Sequence, residues 1–412
     1  MSLLSALWGL ASDARWFSGR SRSGRPRGIT LLDWVVEPTQ GPGIRPAFLD
    51  VVYPGGEVER YFIPLVFRPL GSGRAPELCQ LTILSRTYSV GELPADPEAS
   101  SMLLTALASQ QPGFQRFHDV PTGLLGRRYA GEQSNTSLFF GDSVLAKLFR
   151  RVEAGPNPDV EIHAALAGTG TVAELFGTWS HDDTDLAVFL EAFTDPRDGY
   201  VLACHHAAEG RSFAAHARAL GEGLSAIHTA LAERLSTGTV PAEVLASTWR
   251  SRFEAATAEV PELGRYRELA TSAYTAFEGD VLPTQRIHGD CHLGQVLLTA
   301  GGWRYVDFEG EPLKSISERR SPDVRLRDVA GMLRSFDYAA ATAPDAGGQG
   351  AWLEECRNAF SDGYGHIEPA DARLLSALEL DKAVYEVVYE TRNRPTWRRV
   401  PLDFLERLAR ES

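Results

Sequence analysis

Two short segments in the second half of the chain carry the residues best suited to chemistry. Residues 287–295 read IHGDCHLGQ, and residues 305–309 read YVDFE. Gly289 allows a tight turn, because glycine adopts backbone conformations that a Cβ disfavours. Apolar residues on either side of 299–302 predict two short strands joined there as a β-hairpin. The side chains that we expect to converge at one end of this hairpin are Asp290, Gln295 and Asp307.

This set of oxygen atoms suits one kind of reaction. Carboxylate and amide oxygens are ligands that Mg²⁺ prefers. An acid beside such a cation suits phosphoryl transfer, since Asp290 could accept the proton of an attacking hydroxyl while the cation neutralises phosphate charge. A His-Gly-Asp tripeptide alone is more often a surface turn. Its combination with Gln295 and a strand ending in Asp-Phe-Glu favours the catalytic interpretation.

Composition excludes several other functions. The 412 residues suffice for two or three units, each with its own core. A formal net charge of −13 argues against a nucleic-acid groove or an anionic membrane surface, because both need basic patches. No apolar run reaches the roughly 18 residues of a membrane span. The four cysteines lack metal or disulfide spacing, so we expect a cytoplasmic protein.

The elements that position the site change in kind along the chain. Residues 1–100 predict a helix and a small antiparallel sheet, which we treat as an N-terminal cap. Residues 101–195 predict a second β-rich unit, and residues 196–412 predict a mainly helical one. The expected fold class is therefore α+β. The strands expected in the cap are 29–36, 47–53, 57–67 and 78–83.

The second unit contains candidate phosphate-binding residues. Residues 131–137 form a turn of small residues whose N–H groups and hydroxyls could hold phosphates. Lys147 is the only charge in an apolar strand, and Glu161 at the next helix start is a suitable partner. Alternatively, Lys147 extends to solvent from an edge strand, and Glu161 is an acid in the first helical turn that the helix dipole stabilises. A lysine held by a helix glutamate binds ATP phosphates in kinases, so the downstream aspartates favour the first interpretation.

Three further positions have weaker signals. After a buried strand, backbone groups near Glu191 and Phe193 could hydrogen-bond an adenine edge. His216 and His228 lie on or near a long helix, but no spacing completes a zinc site with them. Asp328 either caps a later helix, which the sequence favours, or reaches back to hold the catalytic turn.

A periodic helix at 374–390 carries several acids on one face. Such a ladder is ordinarily a solvated face with ion pairs four residues apart. Carboxylates, an arginine and aromatic rings at one helix end are also what sugar binding requires. The candidate substrate residues are His292, Glu386, Tyr389, Glu390, Arg394 and Trp397.

Together these residues resemble a known family. Residues 133–137, Lys147, Glu161, 288–290, Gln295, 307–309 and 327–331 look like the bilobal, eukaryotic-kinase-like fold of aminoglycoside phosphotransferases. The chain resembles the actinobacterial maltokinases more closely in the sequence of four segments, 288–297, 307–312, 326–336 and 379–386. Trp16, Phe17 and residues 50–61 resemble the N-terminal cap of that family. The resemblance thus covers nearly the whole chain and implies transfer of the γ-phosphate of ATP to maltose, giving maltose 1-phosphate for α-glucan (glycogen) synthesis.

The resemblance also implies roles for single residues. Asp290 is the general base, Gln295 and Asp307 are Mg²⁺ ligands, and Glu309 assists them. The residues implied to bind ATP are Gln133, Ser134, Asn135, Thr136, Ser137, Lys147, Glu161, Glu191 and Phe193. His288 and Asp328 support the turn. A complex with a trehalose–maltose isomerising enzyme through the cap is a further implication.

Departures from the general kinase pattern leave alternatives open. The phosphate turn is not Gly-x-Gly-x-x-Gly, Gln295 stands where most kinases have asparagine, and Glu309 stands where many have glycine. These differences weaken a protein-kinase interpretation and agree with a sugar kinase. One alternative is a kinase that phosphorylates the 6-hydroxyl of glucosamine or another monosaccharide. Another is a catalytically silent partner of an α-glucan enzyme, although no catalytic group is missing.

Overall fold

The computed structural model describes residues 1–17, 19–20, 22–39, 41–71, 76–131, 134–310, 316–343 and 349–411. The chain divides into two compact units, of which the first comprises Met1–Ala164 and Ala173–Thr194 and the second comprises Ala165–Val172 and Asp195–Ser412. The expected α+β class is confirmed, since antiparallel sheets dominate the first unit and helices dominate the second. The further division at residue 100 stays a prediction.

The first unit consists of two antiparallel sheets and three short helices in its described residues. Its strands are β1 (Arg25–Leu31), β2 (Gly43–Val52), β3 (Val58–Pro69), β4 (Cys79–Ile83), β5 (Arg86–Glu92), β6 (Phe114–Arg116), β7 (Gly126–Arg128), β8 (Thr136–Phe140), β9 (Val144–Leu148), β10 (Arg151–Val152), β11 (Leu175–His181) and β12 (Thr184–Glu191). Its helices are α1 (Leu3–Asp13), α2 (Pro97–Ala108) and α3 (Pro158–Ala165). The first sheet has the order β1-β2-β3-β5-β4 with β10 against β3, and the second has the order β6-β11-β12-β9-β8-β7.

The expected cap strands agree with β2, β3 and β4, and the strand expected at 29–36 overlaps β1. The sequence pattern does not indicate β5, because its hairpin turn carries no recognisable signal. Leu84 and Ser85 form this turn with φ of 47° and 67°. Turns with two left-handed residues usually contain asparagine, aspartate or glycine, and a leucine-serine pair therefore hides the hairpin.

One core joins the two sheets of the first unit. Strands β2 and β3 are buried along most of their length. One face of the first sheet packs against Leu7 and Ala11 of α1. The opposite face contributes Phe48 and Phe62 to a cluster that continues into the second sheet. Phe62 meets Trp179 of β11 edge to face, with ring centroids 5.2 Å apart.

The second unit is mainly helical. Its helices are α4 (Gly199–Ala208), α5 (Ala214–Arg234), α6 (Ala242–Glu259), α7 (Arg267–Thr275), α8 (Ile316–Arg319), α9 (Leu326–Ala340), α10 (Gln349–Tyr364), α11 (Pro369–Asn393) and α12 (Arg399–Glu411). Its strands are β13 (Arg197–Asp198), β14 (Gly238–Pro241), β15 (Val281–Thr284), β16 (Val296–Thr299) and β17 (Gly302–Tyr305). The predicted catalytic hairpin is confirmed as β16 and β17, with Val296 opposite Tyr305 and Thr299 opposite Gly302.

Two glycines allow α5 and α10 to pack closely. A Cβ on Gly221 would overlap the carbonyl oxygen of Phe360, and a Cβ on Gly363 would overlap that of Arg218. This contact fixes α5, whose apolar face contains buried Leu220, as expected from its periodicity. Among the described residues, no helix has both the length and the apolar composition needed to cross a membrane.

Candidate active site

The predicted catalytic turn, residues 287–291, has buried residues on both sides of one partly exposed carboxylate. Ile287, His288 and Cys291 are buried, whereas the Asp290 side chain is 26% exposed. Gly289 has a φ of 84°, and a Cβ there would lie 3.3 Å from the Cα of Gly310. The left-handed conformation and the close approach both require glycine. The turn therefore holds the Asp290 carboxylate on a rigid, buried backbone.

Asp328 holds this turn by its backbone. Its Oδ2 accepts the N–H of His288 at 2.7 Å, and its Oδ1 accepts the N–H of Gly289 at 2.9 Å. His228 donates through Nε2 to Asp328 Oδ2 at 3.0 Å, and Nδ1 of His228 lies 2.8 Å from the Tyr364 hydroxyl. The four groups form a continuous hydrogen-bonded chain from α10 through α5 and α9 to the turn.

The electrostatic state of Asp328 follows from these contacts. Burial alone would raise the pKa of Asp328, but the hydrogen bond and charge of His228 and the N–H of Gly289 lower it below its usual value. Helix α9 has Arg325 at its N-cap position and no side-chain hydrogen bond that caps it there. The capping role that the sequence favours for Asp328 is therefore wrong, because both oxygens of the carboxylate bind the catalytic turn instead.

Helix α9 presents two more positions to the catalytic loop. The Ser335 hydroxyl accepts the N–H of Leu293 at 3.1 Å. A Cβ on Gly331 would overlap the carbonyl oxygen of Cys291. Asp328, Gly331 and Ser335 are spaced by three and four residues, which places them on one helix face. This single face therefore supports the loop along its length.

Gln295 and Asp307 meet at the end of the hairpin, as expected. Gln295 Nε2 donates to Asp307 Oδ2 at 3.2 Å, and the N–H of Val306 donates to the Gln295 carbonyl at 3.0 Å. Asp307 has a φ of 65°, a left-handed conformation that is uncommon for a residue with a Cβ. Glu309 Oε2 lies 3.8 Å from a guanidinium nitrogen of Arg319. Amide and carboxylate oxygens are hard ligands, so this end of the hairpin fits Mg²⁺.

Two other side chains of the catalytic loop are not charged at neutral pH. Burial raises the pKa of the Cys291 thiol well above its usual value. Burial lowers the pKa of His292, against the opposing charge of Asp290. His292 Nδ1 accepts the N–H of Gly294 at 3.0 Å, and Nε2 lies 3.9 Å from Asp290 Oδ2. The neutral imidazole therefore carries its proton on the nitrogen nearest Asp290.

Lys147 is held inside the first unit by an aspartate. Its Nζ lies 2.9 Å from Asp159 Oδ2, and its side chain is only 14% exposed. Strand β9 lies between β12 and β8, so Lys147 does not snorkel from an edge strand. Burial alone would raise the pKa of Asp159, but the charges of Lys147 and His163 hold it below its usual range. Glu161 lies in the same first turn of α3, and its role stays a prediction.

The described part of the expected phosphate turn is fixed by Arg150. The Nε of this fully buried arginine donates to Thr136 Oγ1 at 2.7 Å, and its backbone N–H donates to Asn135 Oδ1 at 3.1 Å. These two side chains are therefore directed towards the scaffold. Ser134 accepts from the Asn135 amide at 3.5 Å, and Ser137 pairs with Lys147 across β8 and β9. Gln133 lies outside the described residues.

The other contacts of Arg150 are with the first sheet and its helix. One guanidinium nitrogen lies 2.6 Å from Glu92 Oε1, and another lies 3.4 Å from the Phe62 carbonyl. The guanidinium also lies over the Trp16 ring, 4.9 Å from its centroid. Arg150 thus connects three residues of the expected cap, Trp16, Phe62 and Glu92, with the expected phosphate turn.

The predicted adenine-binding positions lie at the end of β12. The N–H of Glu191 donates to the Glu174 carbonyl at 2.9 Å, and the N–H of Ala192 donates to the Ser143 carbonyl at 3.0 Å. Phe193 packs against the core of the first unit. The roles of Glu191 and Phe193 towards a nucleotide stay predictions.

The acidic face of α11 is buried and paired, so its description as a solvated face is wrong. The pairs, with their N···O distances, are Glu379–Arg357 at 2.8 Å, Glu386–Arg334 at 2.7 Å and Glu390–Arg394 at 2.5 Å. Two of the three arginines come from α9 and α10, which no local pattern within α11 could indicate. Burial raises the pKa of Glu386, although the charge of Arg334 opposes this effect.

Four of the six predicted substrate residues lie together at the end of α11. The Arg394 guanidinium lies 5.7 Å from the Tyr389 ring centroid and 5.9 Å from that of Trp397. Tyr338 stacks on Trp397 at 6.1 Å and donates its hydroxyl to Glu390 at 3.1 Å. Glu386 is buried one turn earlier, and His292 belongs to the catalytic loop.

Several residues of the site escape sequence reasoning. They are Arg150, Asp159 and Tyr364, together with the contact of His228 with Asp328. His228 has the clearest signal, because it is a polar residue on the buried face of α5 next to Ile227. Asp159 shares the first turn of α3 with Glu161, and sequence spacing alone does not show that Asp159 contacts Lys147.

Comparison with known proteins gives a consistent result. A sequence model described as the phosphotransferase enzyme family matches residues 126–369. A glucosamine kinase from Mycolicibacterium smegmatis is 29% identical over 305 residues, which cover 66% of this chain and 76% of that protein. A glucosamine kinase from Streptacidiphilus jiangxiensis is 32% identical over 196 residues, which cover 42% and 45%. The solved structure of a glucosamine kinase in complex with glucosamine, ADP and inorganic phosphate has the same fold, with a TM-score of 0.72, 22% identity and 99% coverage of both chains.

Proposed function

Because the chain belongs to the phosphotransferase enzyme family, we propose that it is a glucosamine kinase that transfers the γ-phosphate of ATP to a hydroxyl of glucosamine. The observation that supports this acceptor is the similarity to two glucosamine kinases. These relatives favour the monosaccharide alternative over maltose. They give no support to the maltokinase assignment, to a role in α-glucan synthesis or to a complex with an isomerising enzyme, and that complex stays a prediction.

Asp290 is the proposed general base. The acceptor oxygen forms a bond to the γ-phosphorus while its proton passes to the Asp290 carboxylate. The bond between the γ-phosphorus and the bridging oxygen breaks, and its electron pair leaves with ADP. The rigid turn held by Asp328 supports this role, because a base must stay within hydrogen-bond reach of the hydroxyl.

The proposed phosphate and metal ligands follow from the charged groups of each unit. Lys147, oriented by Asp159, supplies a positive charge for the α- and β-phosphates. Gln295 and Asp307 would hold Mg²⁺, with Glu309 assisting. When bound, the cation neutralises charge on the phosphates of ATP.

The end of α11 is the proposed acceptor site. Tyr389 and Trp397 offer flat aromatic surfaces for the apolar face of a sugar ring. Glu390, whose side chain is only 1% exposed, would hold the Arg394 guanidinium beside these rings.

The test is ADP release from ATP·Mg²⁺ with glucosamine, N-acetylglucosamine, glucose, maltose and an aminoglycoside as separate acceptors. We expect turnover with glucosamine, little with N-acetylglucosamine, and a product identified by ³¹P NMR as a sugar phosphate ester at the 6-hydroxyl. Turnover of maltose without turnover of glucosamine would contradict the proposal and restore the acceptor that the sequence resemblance implies.

A further inference from the structure

We propose that Lys382 of α11 binds the phosphoryl group while it passes from ATP to the acceptor, and is therefore a catalytic residue in addition to those assigned above. The inference rests on the proposed phosphotransfer function but does not depend on which sugar is the acceptor. Three observations carry it: the position of the ammonium, the lack of a hydrogen bond or ion pair to it among the described residues, and the absence of lysine and arginine from residues 287–295.

The Lys382 ammonium lies where α9 meets the catalytic loop. Its Nζ is 3.7 Å from the position that a Cβ on Gly331 would occupy. That position overlaps the carbonyl oxygen of Cys291, the residue after Asp290. The charge of Lys382 also contributes to the lowered pKa of His292, after burial and against Asp290. The ammonium thus lies close to the loop that carries Asp290.

The carboxylates around Lys382 are paired with other cations. On the same helix, Glu379 binds Arg357 and Glu386 binds Arg334. Asp381 binds Arg252 at 2.9 Å. Across the described ranges, Lys382 Nζ forms no hydrogen bond and has no carboxylate oxygen within 4.0 Å, although the residue is only partly exposed. The Lys382 charge lowers the pKa of Glu386, after that of Arg334, but Glu386 is hydrogen-bonded to Arg334. The Lys382 ammonium therefore keeps its N–H donors for a ligand that carries negative charge.

The chemistry of the reaction identifies that anion as phosphate. Glucosamine carries an ammonium that Lys382 would repel, whereas the transferred group carries charge on its non-bridging oxygens throughout the reaction. Residues 287–295 contain no lysine or arginine. The segment contains two histidines: His288 is buried with its Nε2 3.1 Å from the Val306 carbonyl, and burial lowers the pKa of His292. Lys382 therefore supplies the cation that the turn lacks.

The role of Lys382 in the step is electrostatic. As the acceptor oxygen bonds to the γ-phosphorus and the bond to ADP breaks, the ammonium donates an N–H to a non-bridging oxygen. Lys382 keeps all its protons, and the hydroxyl proton goes to Asp290. Such a donor acts on the group in transfer and not on the bound nucleotide, so its loss should lower kcat more than nucleotide affinity.

The test compares Lys382→Met with Lys382→Arg in the full-length enzyme. We expect Lys382→Met to lower kcat by roughly 100- to 1,000-fold, as removal of one transition-state donor does. The KM for the sugar and the Kd for ADP should stay within about twofold, and Lys382→Arg should recover part of kcat. Removal of an unpaired charge should leave Tm unchanged or raise it, whereas loss of a structural contact would lower it.

A matched control is Arg373→Met, which removes a positive charge from an exposed position of the same helix and should leave kcat unchanged. A kcat within threefold of wild type for Lys382→Met, or a raised KM for the sugar with kcat unchanged, would overturn the inference. If the wild-type enzyme turns over none of the sugars, the acceptor proposal fails. The role of Lys382 is then tested by the rate of ATP hydrolysis without a sugar, which should be lower in Lys382→Met than in wild type by the same factor.

Discussion

Asp307 holds a backbone conformation that a residue with a Cβ disfavours, whereas Gly289 adopts its own turn conformation without that cost. Both residues have positive φ angles, 65° for Asp307 and 84° for Gly289. The aspartate is held there by the hydrogen bond from Gln295 and by the hairpin behind it. A left-handed conformation costs roughly 1–3 kcal/mol at a residue with a Cβ, and the surrounding contacts must offset it. Rigidity at these residues fixes the reacting groups before any substrate binds.

Asp290 should be indispensable for turnover but not for nucleotide binding. Asp290→Asn keeps the shape of the side chain and removes its ability to accept a proton. We expect kcat to fall by roughly 100- to 10,000-fold, with the Kd for ADP unchanged in calorimetry. Asp280→Asn, at an exposed position of the same unit, serves as the control. Full activity of Asp290→Asn would remove this residue as the base.

At the scale of elements, the phosphate turn and the first sheet are connected by one buried arginine. Arg150 bonds Thr136 on one side and Glu92 on the other, and both distances are below 2.8 Å. Removing one partner of a buried ion pair leaves an uncompensated charge. The order of the proposed phosphate-binding turn therefore depends on its connection to β3 and to the region around Glu92.

Arg150→Met should weaken both stability and ATP binding. We expect a loss of roughly 3–5 kcal/mol in the free energy of unfolding and a raised KM for ATP, with the KM for the sugar unchanged. The control is Arg68→Met, which breaks a comparable buried pair with Asp96 at 2.6 Å. That variant should lose stability but keep its KM for ATP. Equal effects of the two variants on ATP binding would show that Arg150 has no specific role in the turn.

The crossing of α5 and α10 gives a second prediction at this scale. Gly363→Ala should destabilise the protein by roughly 1–3 kcal/mol, because the added methyl group overlaps the Arg218 carbonyl. Gly350→Ala, near the start of the same helix, has nothing within 4 Å and should be neutral or stabilising by up to about 1 kcal/mol. Urea unfolding of both variants measures the difference, and similar values would contradict close packing at Gly363.

At the scale of the whole molecule, local patterns predicted local structure well. The catalytic hairpin and the turn at Gly289 follow from residues close in sequence, and the structure contains both. The partner of Glu386 could not be predicted, because Arg334 is 52 positions away and lies on another helix. The contact of Asp159 with Lys147 depends on how α3 packs against β9. Long-range pairing of this kind is set by tertiary packing, which periodicity does not encode.

Buried acids should make stability depend on pH in both directions. The pKa values of Asp159 and Asp328 are lowered in the folded protein, so the unfolded state binds more protons in acid. Their contribution is fully present above the unfolded pKa of about 3.9 and is lost as the pH falls towards the folded pKa. The free energy of unfolding should therefore decrease steeply below about pH 5. Urea unfolding at a series of pH values measures this decrease.

Two variants separate the contributions. Asp328→Asn should flatten the acid side of the profile, since it removes one of the lowered pKa values. Burial raises the pKa of Glu386, so its ionised form destabilises the folded protein. Protonation of Glu386 removes this destabilisation as the pH falls through the raised pKa. Glu386→Gln should abolish that relief. A profile of Asp328→Asn parallel to wild type would contradict the assigned shift.

The core shared by the two sheets of the first unit has a practical consequence for truncation of the protein. The family match begins at residue 126, which invites expression of a shorter catalytic fragment from that point. Such a fragment would lose Phe62, which packs on Trp179, and Glu92, which neutralises Arg150. The exposed apolar face and the buried charge without a counter-ion would drive aggregation. The boundary at which sequences can be aligned is therefore not one at which this polypeptide can be divided.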